Sequence, residues 1–396
     1  MLSKKSFFSL LFAASYTISA ASKPHLVVFG NSLSDLNNKD QTTNPVPLWH
    51  GRYADGPVWN EYLAHFNNYT LINYAIGGAT TNNTSVKKFT NQTIPILSVL
   101  DQIANFTQVF GGKFKNGTMD NDIVIIEIGA NDVFYALDFI VNNTMSMIEY
   151  SDIVVDNIIQ SVDMVSKLGY KNILVTTVPD PKNSPYILFY PPPGPDNVSK
   201  YVENMNQKLT SSINSEAAKP NKSGIKLVEL DKIFGLVSDP IGKALNITVV
   251  DKECYVINNN TLTSSCENSN TYAFIDLYHP NTKVHSFFGS AFAEILTNST
   301  FTLNAETANS LIAKYNLSNA NSRDNFLYNS DSYKTGITKV NSYNIKEASK
   351  NSKSIIDTKN KSVKPGVPSS SNLNATNLYF IMLQLFFFAI YFKYQC

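Results

Sequence analysis

Five short runs of aliphatic and β-branched residues mark the chain between His25 and Asp231, and each stops at a loop signal. Residues 26–29 (LVVF) run into Gly30-Asn31, 71–74 precede Gly77-Gly78, and 123–128 (IVIIEI) precede Gly129. Residues 173–178 (ILVTTV) precede Pro179, and 225–230 (IKLVEL) precede Asp231. Each reads as a buried strand. The segments between them change period. In residues 151–168, Ile153, Val154, Ile158, Val162, Met164, Val165 and Leu168 fall largely on one helical face, and Gly169 can cap it. Strands separated by helices predict an α/β fold, a parallel sheet with helices on both faces. Residues 22–300 hold this pattern as one domain with large insertions.

The two ends are apolar and read as processing signals. Residues 1–21 have the form of a signal peptide: Lys4 and Lys5, an apolar core at 7–14, and small residues at Ser19, Ala20 and Ala21. That apolar core is too short to span a bilayer. Residues 301–372 are rich in Asn, Ser and Lys and are expected to form a stalk, with one weak helix at 306–315 able to pack on the domain. The last segment, 373–396, carries LYFIMLQLFFFAIYF at 378–392 behind a small polar stretch, Ser369 to Asn372. This is the pattern of a GPI-attachment signal, with a single transmembrane anchor as the alternative. The expected place is therefore the secretory pathway and the cell surface, the chain being held at a membrane by its C-terminal tail. Three cysteines are present, Cys254, Cys266 and Cys396. The first two are close enough in sequence to close a small loop disulfide, and Cys396 leaves with a cleaved tail. Sequons recur from Asn68 to Asn374, candidate glycan acceptors in that compartment. A net charge of +1 excludes a nucleic-acid binder driven by bulk positive charge.

Open α/β sheets bind ligands beyond the carboxyl ends of their strands, so the loops there carry the candidates. Gly30-Asn31-Ser32-Leu33-Ser34-Asp35 offers a serine nucleophile, although a loop serine is commonly only a turn residue. Gly77-Gly78 lets a backbone N–H approach a ligand. Asn131, in Gly129-Ala130-Asn131-Asp132, can donate an amide to a developing oxyanion. Asp276 precedes His279 by three residues and can orient its imidazole as a general base. His50, His65, His285 and, behind them, His25 are other bases to weigh. Trp49, Tyr53 and Trp59 are either core packing or a sugar-binding surface.

The order Ser32, Gly78, Asn131, Asp276, His279 resembles the GDSL or SGNH hydrolase superfamily, named for its Ser, Gly, Asn and His blocks. Residues 51–59 (GRYADGPVW), 73–81 (NYAIGGATT) and Gln102-Ile103 are similar to further segments of plant and fungal members, the fungal acetylesterase-like branch above all. The resemblance implies a flavodoxin-like three-layer α/β/α sandwich around a five-stranded parallel sheet. It implies a triad of Ser32, His279 and Asp276 and an oxyanion hole of Ser32, Gly78 and Asn131, with no cofactor and no metal. The implied substrate is an ester, most of all acetylated carbohydrate or another short-chain ester, with lipase or phospholipase activity as the alternative. One position departs from the family: Asn31 stands where the first block has Asp. That departure raises a third expectation, a catalytically weak surface-binding protein. The α/β-hydrolase lipases are excluded, because no G-x-S-x-G elbow occurs.

Overall fold

The structure is a computed structural model. It describes residues 23–343 apart from 39–47, 112–118, 145–146, 239, 259–260, 321, 323–324 and 329. Five strands form one parallel sheet in the order β2-β1-β3-β4-β5: β1 His25–Gly30, β2 Thr70–Asn73, β3 Ile123–Glu127, β4 Asn172–Thr176 and β5 Ile225–Val228. That is the flavodoxin-like order, and its crevice lies where the order reverses, between β1 and β3.

Alternation along the strands feeds two cores. Val27 and Phe29 of β1, with Val124 and Ile126 of β3, face the helices Val99–Phe110, Met147–Lys167 and Gly194–Ala217. Leu26 and Val28, with Ile123 and Ile125, face Trp59–Phe66, Leu230–Ser238 and Thr282–Thr297. A strand buried on both faces has no polar side to show, which is why its sequence reads as an unbroken apolar run. The helix expected at 151–168 is Met147–Lys167, and the one expected at 306–315 is Ala305–Lys314.

Beyond the sheet, β6 Val249–Glu253 pairs with β9 Tyr272–Phe274, and β7 Tyr255–Asn258 forms a hairpin with β8 Thr261–Ser265. Cys254 and Cys266 are joined as a disulfide at the foot of that hairpin.

The stretch read as a stalk is folded as far as residue 343, so the compact unit does not stop at residue 300. Ala308, Leu311 and Leu317 are buried against the Thr282–Thr297 side of the domain. Ala320 and Leu327 close over Tyr62. At the sheet edge Leu71 donates to Asn341 O (2.8 Å) and accepts from Tyr343 N (2.9 Å). The expected signal peptide, the rest of the stalk and the C-terminal tail lie outside the described residues. Among the described residues no helix is long and apolar enough to cross a membrane.

Candidate active site

β1 ends at Gly30 and the chain turns at once. Asn31 Oδ1 accepts the Leu33 N–H (2.9 Å), and Asn31 O accepts the Ser34 N–H (3.1 Å). In this Asx-type turn Asn31, Leu33 and Ser34 are buried and Ser32 is half-buried. Gln102, from the neighbouring helix, clamps Gly30 by accepting its N–H (3.0 Å) and donating to its carbonyl (2.9 Å). Ser32 sits at the tip, its Oγ 2.9 Å from His279 Nε2.

His279 comes from the loop after β9. Asp276 Oδ1 accepts the backbone N–H of Tyr278 (2.8 Å) and of His279 (2.7 Å), and the two carboxylate oxygens lie 3.0 and 2.8 Å from His279 Nδ1. In the tautomer that puts its proton on Nδ1, toward the carboxylate, His279 has Nε2 free to accept from Ser32. Burial works to raise the Asp276 carboxyl, but His279 and the two backbone donors outweigh it and hold the group below its ordinary range. The loop is fastened from both ends. Ile275 N donates to His279 O (2.9 Å), while Cys254 and Tyr255, beside the disulfide, donate to Phe274 O (3.1 Å) and Ile275 O (2.9 Å). Asn281 then caps the Thr282–Thr297 helix through Val284 N (2.9 Å).

Gly78 has a φ of +84°, a left-handed conformation that glycine adopts without strain. The preceding Gly77 donates its N–H to Asp35 Oδ2 (2.7 Å). Asn131 Nδ2 donates to Ala79 O (2.8 Å), and next to it Asp132 accepts the N–H (3.0 Å) and the hydroxyl (2.6 Å) of Thr81. These bonds tie the Gly78 loop to the Ser32 loop on one side and to Asn131 on the other. Among the described residues the backbone N–H groups of Ser32 and Gly78 meet no acceptor.

Tyr53 completes the surroundings. Its ring centroid is 4.9 Å from that of His279. A Cβ on Gly77 would come within 2.3 Å of the Tyr53 ring, so only glycine leaves room for it. The segment carrying Tyr53 is docked by Asp55, which accepts the Thr282 N–H (2.7 Å), and by a buried Arg52–Glu61 ion pair (2.7 Å).

Three buried carboxylates around these loops were not singled out from the sequence. Burial pushes Asp35 up to about 6, Asp132 up to about 7 and Glu127 up to about 7, against the hydrogen bonds each accepts. Glu127 had one visible signal: it is the single charge inside the apolar run IVIIEI.

The other histidines stand apart from Ser32. His25 does have an acid partner, Asp122 at 3.1 Å, but at the amino ends of β1 and β3 and away from the crevice. His285 is buried against the backbone N–H of Trp59 (3.4 Å). His65 stacks on Phe326, and His50 packs edge-on against Trp49. Trp59 is core and donates to Ser34 Oγ (3.1 Å), while Trp49 packs on Tyr328 and under Arg52. Of the three aromatics only Tyr53 reaches the site.

The family model for GDSL-like lipases and acylhydrolases matches residues 26–292. The chain belongs to this family. Among curated relatives, an acetylesterase of Thermothelomyces thermophilus is 25% identical over 71% of this chain and 90% of its own. A phosphatidylcholine-sterol acyltransferase of Aeromonas hydrophila is 27% identical over 64% of this chain and 72% of its own. A thermolabile hemolysin of Vibrio parahaemolyticus is 24% identical over 69% of this chain but only 64% of its own length. Among solved structures, the acetylxylan esterase Axe2 of Geobacillus stearothermophilus aligns with 70% of this GDSL chain at 15% identity and a TM-score of 0.35, a remote likeness from which nothing about substrate follows.

Proposed function

We propose that the chain is a serine carboxylester hydrolase of the secretory pathway or cell surface, and that short-chain esters, acetylated carbohydrate foremost, are its substrates. Family membership supports an ester-bond hydrolase. The observation that carries the residue roles is the unbroken line from Asp276 through His279 Nδ1 and Nε2 to Ser32 Oγ.

In this reading His279 Nε2 takes the hydroxyl proton as Ser32 Oγ attacks the ester carbonyl. The tetrahedral oxyanion is met by the N–H groups of Ser32 and Gly78 and by the Asn131 amide. Asn131 spends one N–H on Ala79 O, which fixes the amide and leaves its second N–H for the oxyanion. His279 then passes its proton to the leaving alcohol, and the acyl–Ser32 ester forms. Water, deprotonated by His279, adds to that ester. The carboxylic acid leaves and Ser32 regains its proton.

The acetylesterase relative favours short acyl groups. A second reading, lipid esters, is favoured by one observation. Leu188 and Phe189 are 48% and 62% exposed, and the adjoining Tyr186 donates its N–H to Leu277 O (3.1 Å) in the loop that carries Asp276 and His279. An exposed apolar pair beside the catalytic loop suits an acyl chain or a lipid surface. The hemolysin and the sterol acyltransferase are relatives named in that direction.

The test has two arms. A fluorophosphonate probe should label Ser32, and Ser32→Ala should lose activity on the order of 10⁶-fold. Substantial esterase activity in clean Ser32→Ala would sink the assignment. In a nitrophenyl ester series from acetate to palmitate, acetate should be preferred, and a preference for palmitate selects the lipid reading. Membrane attachment rests on the sequence of the ends, and release from cells by a phosphatidylinositol-specific phospholipase tests its GPI form.

A further inference from the structure

The proposed nucleophile is held on both sides by one buried carboxylate, an arrangement distinct from the triad. Glu127 ends β3, and its side chain turns toward the loop after β1. Its Oε1 accepts from Asn31 Nδ2 (3.0 Å) and its Oε2 accepts from Ser34 Oγ (2.8 Å). Asn31 and Ser34 bracket Ser32 and Leu33. The Asn31 amide is used at both ends, since its Oδ1 accepts the Leu33 N–H that shapes the turn. The Ser34 hydroxyl is likewise committed: Trp59 Nε1 donates to its oxygen, which directs its proton to Glu127. Asn31, Ser34, Trp59 and Glu127 are all buried, so no water substitutes for a lost partner. Burial and hydrogen bonds from Asn31 and Ser34, and no cation, act on Glu127 among the described residues.

We propose that Glu127 is a positioning residue for the reaction, acting through Asn31 and Ser34 to fix the turn that presents Ser32, and that Asn31 is an asparagine because it faces this carboxylate. An aspartate at 31 would place two buried carboxylates at hydrogen-bond distance, where both cannot stay ionised. The pair would then have to share a proton, and the turn would lose either its Leu33 acceptor or its link to β3. This inference rests on Ser32 being the nucleophile.

The test is a set of three variants assayed on nitrophenyl acetate, with thermal melts and the rate of fluorophosphonate labelling followed alongside. Glu127→Ala should lower kcat about 10- to 100-fold with KM within about twofold, and labelling should slow in parallel, as expected for lost positioning of the attacking atom. Asn31→Asp should lower kcat about tenfold or more, the loss deepening as pH rises and the second carboxylate ionises. Asn31→Asp with Glu127→Gln returns one carboxylate and one amide to the site with their places exchanged, and should recover kcat to within a few-fold of the parent. Rescue by the exchange is a result that general destabilisation does not produce. If either single variant fails to fold, the exchanged double variant decides. A double variant no better than Asn31→Asp, or a folded Glu127→Ala within twofold of the parent, overturns the proposal. Ser32→Ala separates the two readings. If it is inactive while the Glu127 variants are normal, only the positioning role falls; if it is active, the reading of Ser32 falls first.

Discussion

The Tyr53 ring lies over the His279 ring, tilted by 38° with centroids 4.9 Å apart. An aromatic face in that place shields one side of the imidazole from water and favours it most when it carries a proton, which in the proposed reaction is the moment of attack. Tyr53→Ala should lower kcat about 3- to 30-fold by that attraction alone, while Tyr53→Phe keeps the ring and most of the rate. Steady-state kinetics of the two variants decides, and equal losses would assign the effect to the hydroxyl.

Asp276→Asn keeps an acceptor for the Tyr278 and His279 N–H groups, so the loop should stay folded. It turns an amide toward His279 Nδ1 and favours the tautomer that cannot accept from Ser32. A fall in kcat of about 10⁴-fold with little change in melting temperature is expected. A fall of less than tenfold would remove Asp276 from the proposed triad.

Three buried carboxylates, Asp35, Glu127 and Asp132, give stability a pH dependence of one sign. Burial raises Glu127 and Asp132 to about 7 and Asp35 to about 6. An unfolded chain releases those protons near pH 4. Between about pH 4 and 7 the folded state therefore binds more protons, and this part of the stability falls as pH rises. His285 works in the opposite sense. Burial lowers it to about 3, so its contribution is present above about pH 6.5 and is lost as pH falls toward 3. Glu127→Gln removes one carboxylate from the first group. Relative to the parent it should gain on the order of 1 kcal/mol at pH 7.5 compared with pH 5, read from urea unfolding midpoints. An unchanged difference would contradict the assignment of Glu127.

A chain ended at residue 300 should not melt cooperatively, whereas one ended at residue 343 should. The shorter chain lacks Leu311, Leu317 and Leu327, all buried. At about 1.5–3 kcal/mol for each buried leucine, the loss is comparable with the whole stability of an ordinary domain. Calorimetry of the two forms is the check, and matching sharp transitions would return residues 301–343 to a dispensable role.

The parts legible in the sequence are those whose physics is local. The inner strands β1 and β3 are apolar because both their faces are covered, so Leu26 to Phe29 and Ile123 to Ile126 announce themselves, whereas the edge strand β5 exposes Lys226. Asp276 and His279 are three residues apart in one loop, and Cys254 and Cys266 sit at the two ends of one hairpin. What stayed hidden depends on strands far apart in sequence becoming neighbours. Asn31 and Glu127 meet because β1 pairs with β3, and Tyr53 reaches His279 because Asp55 docks on Thr282 and Arg52 pairs with Glu61. Residues 301–343 read as a stalk because their few buried leucines are diluted in Asn and Ser, and composition averages over the pattern that matters.

β2 is the outermost strand on its side of the sheet, and its free flank is taken by Asn341 to Tyr343, the last stretch described. A ribosome makes β2 early and its cover late. Throughout synthesis that flank is an open template on which a second nascent chain can zip up. The domain therefore becomes safe from its own copies only when almost all of it has emerged, and chaperone dependence should concentrate in that interval.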